Sequence, residues 1–457
     1  MVAKNGSADL NGNRVSGSTA TGKGGVILSG SNVTITNGTL TGSATDGNGS
    51  GVSVNGMLTV NNGTQVVGEA SGSGDGVAIS GNLTTDAGEG IILNGTASSG
   101  DGIKVTGDTV LTGAILKGQA DSGNGVNIAG NLTTDNATQI HGHATGQGTG
   151  VNLGASLTGA SISGSSEVGI GLQLANNAVV TEAVLNGSST SGDGVAVTGK
   201  VTLDDTSAAA LNASSTSGTG LKLADNANVS IQTVTRVTQE KKDADGNSVL
   251  DADGNPVTET VTTQAPVSAS VTLAGTSEQG TGIATEGSVS ISGVVLNGST
   301  TADTGTGVSL GGNLTIADDI SGVTAGATGN GTALVVNNAS IHSDGYTDSG
   351  KDFVINASVS GNGTAIKTQG GSQLDEVGLN GEATGGGTAV ELGGKVSGAN
   401  ITGTSDSGTA VRVTDGAGVD GSVVKGHSDS GTGLQVSGNA SLSNTGLSGT
   451  TQTGTGA

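Results

Sequence analysis

One short pattern, Gly-x-Gly followed by alternating apolar residues, with Gly-Thr-Ala and Gly-Gly-Val variants, constrains this chain more than any other feature. Its first apolar residue falls at Val26, Val52, Val77, Ile103, Val126, Val151, Leu172, Val195 and Leu221, then at Ile283, Val308, Leu334, Ile366, Val390, Val411 and Leu434. Most intervals lie between 21 and 26 residues; the exceptions are 62 residues from Leu221 to Ile283 and 32 from Leu334 to Ile366. A period of this length marks a solenoid, in which each repeat is too small to bury its own apolar face and must stack on the next.

Within a unit there are three short alternating runs, such as GDGVAVTG, KVTLDD and AAALNASS between Gly192 and Ser215. Alternation puts every second residue on one face of a strand, so Val195, Val197, Val201, Leu203 and Leu211 are expected to point the same way. Three strands of four to six residues joined by tight corners predict an all-β chain, a right-handed parallel β-helix of roughly 18 coils. At about 4.8 Å per coil it forms a rod on the order of 80 Å long. Glycine supplies positive φ at corners. The tripeptide Leu-Asn-Gly recurs at Leu93, Leu185, Leu296 and Leu379, where Asn is expected to accept left-handed geometry and to stack into a hydrogen-bonded ladder.

Composition agrees. Of 457 residues 88 are Gly, Cys and Trp are absent, and there are one Phe, one Tyr and two Pro. A compact multi-domain enzyme of this length would fill its cores with aromatic and large aliphatic side chains, whereas a narrow coil of Val, Ala, Leu and Ile has little room for rings. Collagen is excluded because glycine keeps no triplet spacing and Pro is scarce. The net charge of −23, spread thinly, argues against nucleic acid and against an anionic membrane surface. No apolar run approaches the roughly 20 residues that span a bilayer, and the first residues lack an apolar signal core.

A longer period lies above the coil. The segment from Gly142, GHATGQGTGVNLGASLTGASISG, matches GEATGGGTAVELGGKVSGANITG from Gly381 at an offset of 239, and GVAISGNLTT from Gly76 matches GVSLGGNLTI from Gly307 at 231. The difference of 8 is an insertion near Tyr346. The expected organisation is therefore a first repeat block over 1–229, a hairpin insertion over 230–273 and a second block over 274–457 cut short, the whole read as a piece of a longer rod.

The two breaks hold the unusual residues. Residues 230–273 contain Pro256, Pro266 and the basic cluster Arg236, Lys241 and Lys242, with long alternating arms flanking DADGNSVLDADGN, which predicts a projecting β-hairpin. The second break, 342–353, carries Tyr346, Lys351 and Phe353. Protrusions from a repeat array are frequent binding decorations, so Arg236, Lys241, Lys242, Tyr346, Lys351 and Phe353 are the candidate contact residues; as plain corner loops they would carry no ligand.

Catalytic and metal chemistry find little support. A calcium loop starting at Asp243 would need Gly at its sixth position and Glu at its twelfth, where Ser248 and Gly254 stand. His141 and His143 share one strand face, but no Cys or carboxylate cluster adjoins them; His342 and His427 read as solitary surface residues. The carboxylates are scattered over corners without a converging cleft, so neither catalytic residues nor a cofactor site is nominated. Asn-x-Ser/Thr sequons are frequent, for instance at Asn32, Asn94, Asn186 and Asn338, as corner composition alone would make them; a glycosylated surface is the other reading.

The units GDGVAVTGKVTL, LNGSSTSG and GNLTIADDISG resemble the repeat regions of filamentous haemagglutinin-type exoprotein adhesins of two-partner secretion. The resemblance covers essentially the whole chain and rests on low-complexity motifs; that family's secretion domain is not seen. It implies a secreted or cell-surface rod that binds host cell-surface glycans or proteins, flagellin or another bacterial surface protein, and that passes an outer-membrane transporter during export. The alternative is a passive stalk of an autotransporter or contact-dependent inhibition filament whose binding module lies elsewhere.

Overall fold

The computed structural model describes residues 2–457 apart from 87–89, 176, 205–209, 243–247, 249–255, 257, 267–269, 344–352 and 376. Every regular element among the described residues is a β-strand. Among the described residues the strand ladders are parallel apart from the antiparallel pair in the hairpin, which an antiparallel bridge between Lys242 and Ser248 accompanies. The strands stack into a β-solenoid of three faces; most coils give one strand to each face in turn, while Gly24–Thr36 and Ser50–Asn61 each run through the first two faces as one strand. The third face shows the order most clearly: 17 strands, from Arg14–Thr19 to Gly446–Thr451, are joined by sixteen successive parallel pairings, so the chain makes about 16 turns.

The sixteen apolar positions of the sequence repeat form one row of the first face. Val26 pairs with Val52, Val52 with Val77, and so on without a slip to Leu434. Register is fixed so firmly because a one-residue shift would turn every interior side chain out to water. The expected inward set, Val195, Val197, Val201, Leu203 and Leu211, is buried throughout. Leu221 pairs directly with Ile283 and Leu334 with Ile366, so neither interruption adds a coil, and the number of turns is close to the roughly 18 expected.

The interior is a single apolar cluster running along the axis. Its narrowness has a specific cause. On the third face the inward row carries glycine in most coils, and the strand there lies against the start of the next coil's first face. A Cβ at Gly118 would stand 1.8 Å from the carbonyl oxygen of Gly125, and one at Gly95 would stand 1.9 Å from that of Gly102. In Leu-Asn-Gly it is therefore the glycine that the fold demands. The Asn of that motif sits in a regular strand, contrary to the left-handed geometry expected of it. Left-handed Asn residues occur at corners instead, at Asn11, Asn37, Asn62, Asn177, Asn226, Asn338 and Asn444. The expected stacking does occur among third-face Asn residues: Asn212 donates to Asn186 over 2.9 Å and Asn380 to Asn356 over 3.1 Å.

A second device ties the corners that follow the third face. The buried hydroxyl of Ser215 accepts from the Gly218 N–H at 2.9 Å and donates to the Gly192 carbonyl of the preceding coil at 2.8 Å. Ser189 and Ser428 repeat the arrangement on Gly192 and Gly169, and on Gly431 and Gly408. Each such Ser, three residues before a Gly, satisfies one donor and one acceptor that the corner would otherwise bury unpaired.

Candidate binding surface

Three parts of the surface depart from smooth repetition: the hairpin, a trough on the third face, and an ionic bridge beside the hairpin's root. The hairpin grows out of a second-face strand. Asn228–Glu240 begins as a rung, with Asn228–Ser230 paired on both sides, to 200–202 and to 290–292. From Gln232 it turns into a two-stranded ribbon, pairing antiparallel with Thr258–Pro266 in nine consecutive positions from Gln232↔Pro266 to Glu240↔Thr258. The arms expected from the alternating sequence are thus present. Arg236 lies within this ribbon opposite Thr262. Lys241 and Lys242 follow it and are exposed, and the Lys242 ammonium donates to Ser248 Oγ over 2.7 Å.

The second break gives a mixed result. Tyr346 and Lys351 lie outside the described residues. Phe353, proposed as a contact residue, is placed inside the rod: it is 1 % exposed and is the bulkiest wholly buried side chain. It opens the strand Phe353–Gly361, whose inward residues Phe353, Ile355, Ala357 and Val359 are all buried, so as it stands it offers no surface to a ligand. The structure does not bring Phe353 together with the hairpin residues as one site.

The trough follows the outward rows of the third face. Its floor is a hydroxyl row, Ser165, Ser188, Ser214 and Thr276, paired strand to strand, and Glu167 and Glu278 stand at its margin. The volume is about 650 Å³, and a second hollow of about 490 Å³ continues it past His143 and Ser165 toward Lys117, His141 and Glu69. His143 bonds through Nδ1 to Ser165 Oγ at 2.9 Å, while the His141 ring is exposed. The arrangement presents hydroxyl donors and acceptors at the strand spacing, with negative charge beside them. Among the described residues no group of three or more His, Asp or Glu residues is placed to hold a metal.

Beside the root of the hairpin, Lys222 reaches Glu286 at 3.0 Å and Asp193 at 3.8 Å, spanning three successive coils. Burial raises the Asp193 pKa above its ordinary value despite the opposing Lys222 charge. Burial also works against the Lys222 ammonium, but its bonds and attractions to Glu286 and Asp193 outweigh this and raise its pKa. The Gly-Asp-Gly corners at Asp75 and Asp101 form another inter-coil chain. Asp75 accepts from the Asp101 N–H at 2.8 Å, and Asp101 accepts from Asn124 and Asn127 of the following coil at 2.9 and 2.8 Å.

Two features escaped the sequence reading. The Ser-x-x-Gly ties were visible as SSTSG at 188–192 and 214–218 and as HSDSG at 427–431. The hydroxyl trough was visible only once the third-face register was known, because its residues are some 23 to 62 positions apart.

The fold defines the chain as a parallel β-solenoid rod. Comparison with family models, with curated proteins and with solved structures finds no match. Among the described residues no helix is long and apolar enough to cross a membrane.

Proposed function

We propose that this chain is the repeat rod of a secreted or surface-attached bacterial adhesin, which holds binding elements at a distance and attaches to host or bacterial surface components. The observation that supports this reading most is the root of the hairpin. Leu221 and Ile283 remain direct neighbours in the first-face ladder although 62 residues separate them in sequence, so the insertion is displayed without any break in the rod. A scaffold built for display has that property. The partners it fits are host cell-surface glycans or proteins, flagellin or another bacterial surface protein, and export would run through an outer-membrane transporter.

The test is solid-phase binding to cells and to flagellin, using the full chain and a variant in which residues 233–265 are replaced by a short Gly-Ser link. Binding by the full chain that falls in the variant supports display by the hairpin. Binding that persists moves the contact to the rod surface. No binding by either leaves the second reading, a passive stalk, which the continuous first-face ladder from Val26 to Leu434 favours.

A further inference from the structure

We propose that the hollow around Lys117, His141 and His143 on the third face binds the acidic terminal unit of an oligosaccharide, a sialic or uronic acid, while the neutral units before it lie along the hydroxyl row. Such a ligand belongs to the glycans that an attachment rod would meet, so the assignment rests on that reading of the chain. Register builds the hollow. Lys117 pairs with His141 and Gln119 with His143 across adjacent coils, roughly 4.8 Å apart, on the outward side of the sheet. Two of the chain's four His residues thus meet a Lys on a chain of net charge −23. The residues lining its volume of about 490 Å³ belong to five successive third-face strands, all of them described.

The groups there are free to take a ligand. Lys117 is exposed, and among the described residues no carboxylate pairs with it, whereas Lys104, Lys222, Lys367 and Arg412 each meet one. Each imidazole has one nitrogen engaged and one to offer. Gln139 Oε1 accepts from His141 Nε2 at 3.3 Å, leaving Nδ1, and His143 Nδ1 meets Ser165 Oγ at 2.9 Å, leaving Nε2. An ammonium gives a carboxylate a charge-assisted bond, and an unprotonated ring nitrogen accepts from a sugar hydroxyl. Charge also fixes where the acid lies. Glu69 stands two coils before Lys117 and Glu167 two coils after it, so one acidic unit is accommodated and a run of them is repelled. Toward Thr276 the floor offers Ser188 and Ser214, whose hydroxyls make no bond to another described residue, and these remain for neutral units.

Calorimetric titration of the full chain tests this with four probes: sialyllactose, glucuronyl-lactose, lactose and polygalacturonate. One acidic trisaccharide or both should bind at a single site per chain, with lactose and polygalacturonate at least about tenfold weaker. Lys117→Gln should reduce the affinity for the acidic trisaccharide to that for lactose, with circular dichroism unchanged. Lys425→Gln, at an exposed Lys of the same outward row far along the rod, should leave it as it was. His143→Ala should weaken acidic and neutral sugars alike. Sialyllactose and glucuronyl-lactose distinguish the two sources of the acid, and binding of either supports the site. Binding of neither, equal binding of lactose, or an affinity indifferent to Lys117→Gln overturns the proposal. Cell attachment by the same variants separates this from the adhesin reading. Sugar bound by a chain that holds no cells supports the site and ends that reading, whereas cells held with no sugar bound end the site alone.

Discussion

The seam between the third face and the next coil's first face ranges from glycine on both sides to alanine on both sides, and the contrast between these extremes shows what limits the girth of the rod. Between residues 42 and 194 both sides of the seam are glycine, and an added Cβ on the third-face side would meet a carbonyl oxygen at 1.8 to 2.3 Å. Further along, Ala325 and Ala357 occupy the third-face side while Ala333 and Ala365 occupy the other, all of them buried. Two Cβ atoms now lie where none fitted before, so the strands there stand further apart. The same stretch admits Phe353, and Val359 fills a place that Ala144 or Ser189 takes elsewhere. A methyl group on both sides of the seam thus goes with the bulkier interior side chains Phe353 and Val359, while a seam with glycine on its third-face side stays tight.

The contrast can be broken from either side, and local hydrogen exchange with denaturant unfolding would measure each case. The largest effect is expected for Phe353→Ala, which empties the wide coil and should cost about 3–5 kcal/mol. In the narrow region, Gly118→Ala drives a methyl into the Gly125 carbonyl, and both strands are held by neighbours on either side; the expected loss is about 3 kcal/mol. If that variant were as stable as the parent, the narrow seam would not be a steric limit. Ser215→Ala removes one corner tie and leaves the Gly218 N–H and the Gly192 carbonyl unpaired, at about 1–2 kcal/mol.

A pH series compares two kinds of corner carboxylate. Burial raises the pKa of Asp318, but bonds from Ser321, Ser292 and the Gly293 N–H overcome it and hold the carboxyl below its ordinary 3.8. A carboxyl lowered on folding stabilises above its unfolded value, and that contribution is lost as the pH falls through 3.8 toward the folded value. Asp318→Asn should therefore be less stable at neutral pH and lose less on acidification. Burial raises Asp75 above 3.8, only partly offset by the Asp101 N–H, so its sign is opposite: the charged form is disfavoured, and Asp75→Asn should remove a penalty present at neutral pH. Acid unfolding curves of the two variants should diverge in these directions. The smallest effect is expected at Gly326→Ala, an outward glycine whose added Cβ would meet nothing closer than Ser299 Cβ at 3.9 Å; the change should lie within about 0.5 kcal/mol.

The coil and its register were legible because period and alternation report the same thing twice: Val26 to Leu434 recur at one place in the coil, and each lies in a run that alternates. The seam was not legible as such. Glycine at a corner and glycine facing another backbone look alike in a sequence: Gly63 sits at a left-handed corner with φ 59° and open space around it, whereas Gly118 lies in a strand against the Gly125 carbonyl. Phe353 misled for a related reason. A lone aromatic beside an insertion suggests an exposed anchor, yet the alternation of FVINASV places it in phase with Ile355 and Ala357. The trough depends on rows across coils, which no single stretch of chain displays.

Among the described residues each coil's ladders run to the coil before and the coil after it, and the near-duplicate blocks keep the same phase: Gly142 and Gly381 both occupy the seam. Unequal recombination between such blocks would add or remove whole numbers of turns while leaving every remaining interior contact as it was. Reach is therefore a heritable quantity this architecture can change in steps of about 231 residues, without redesigning the cross-section.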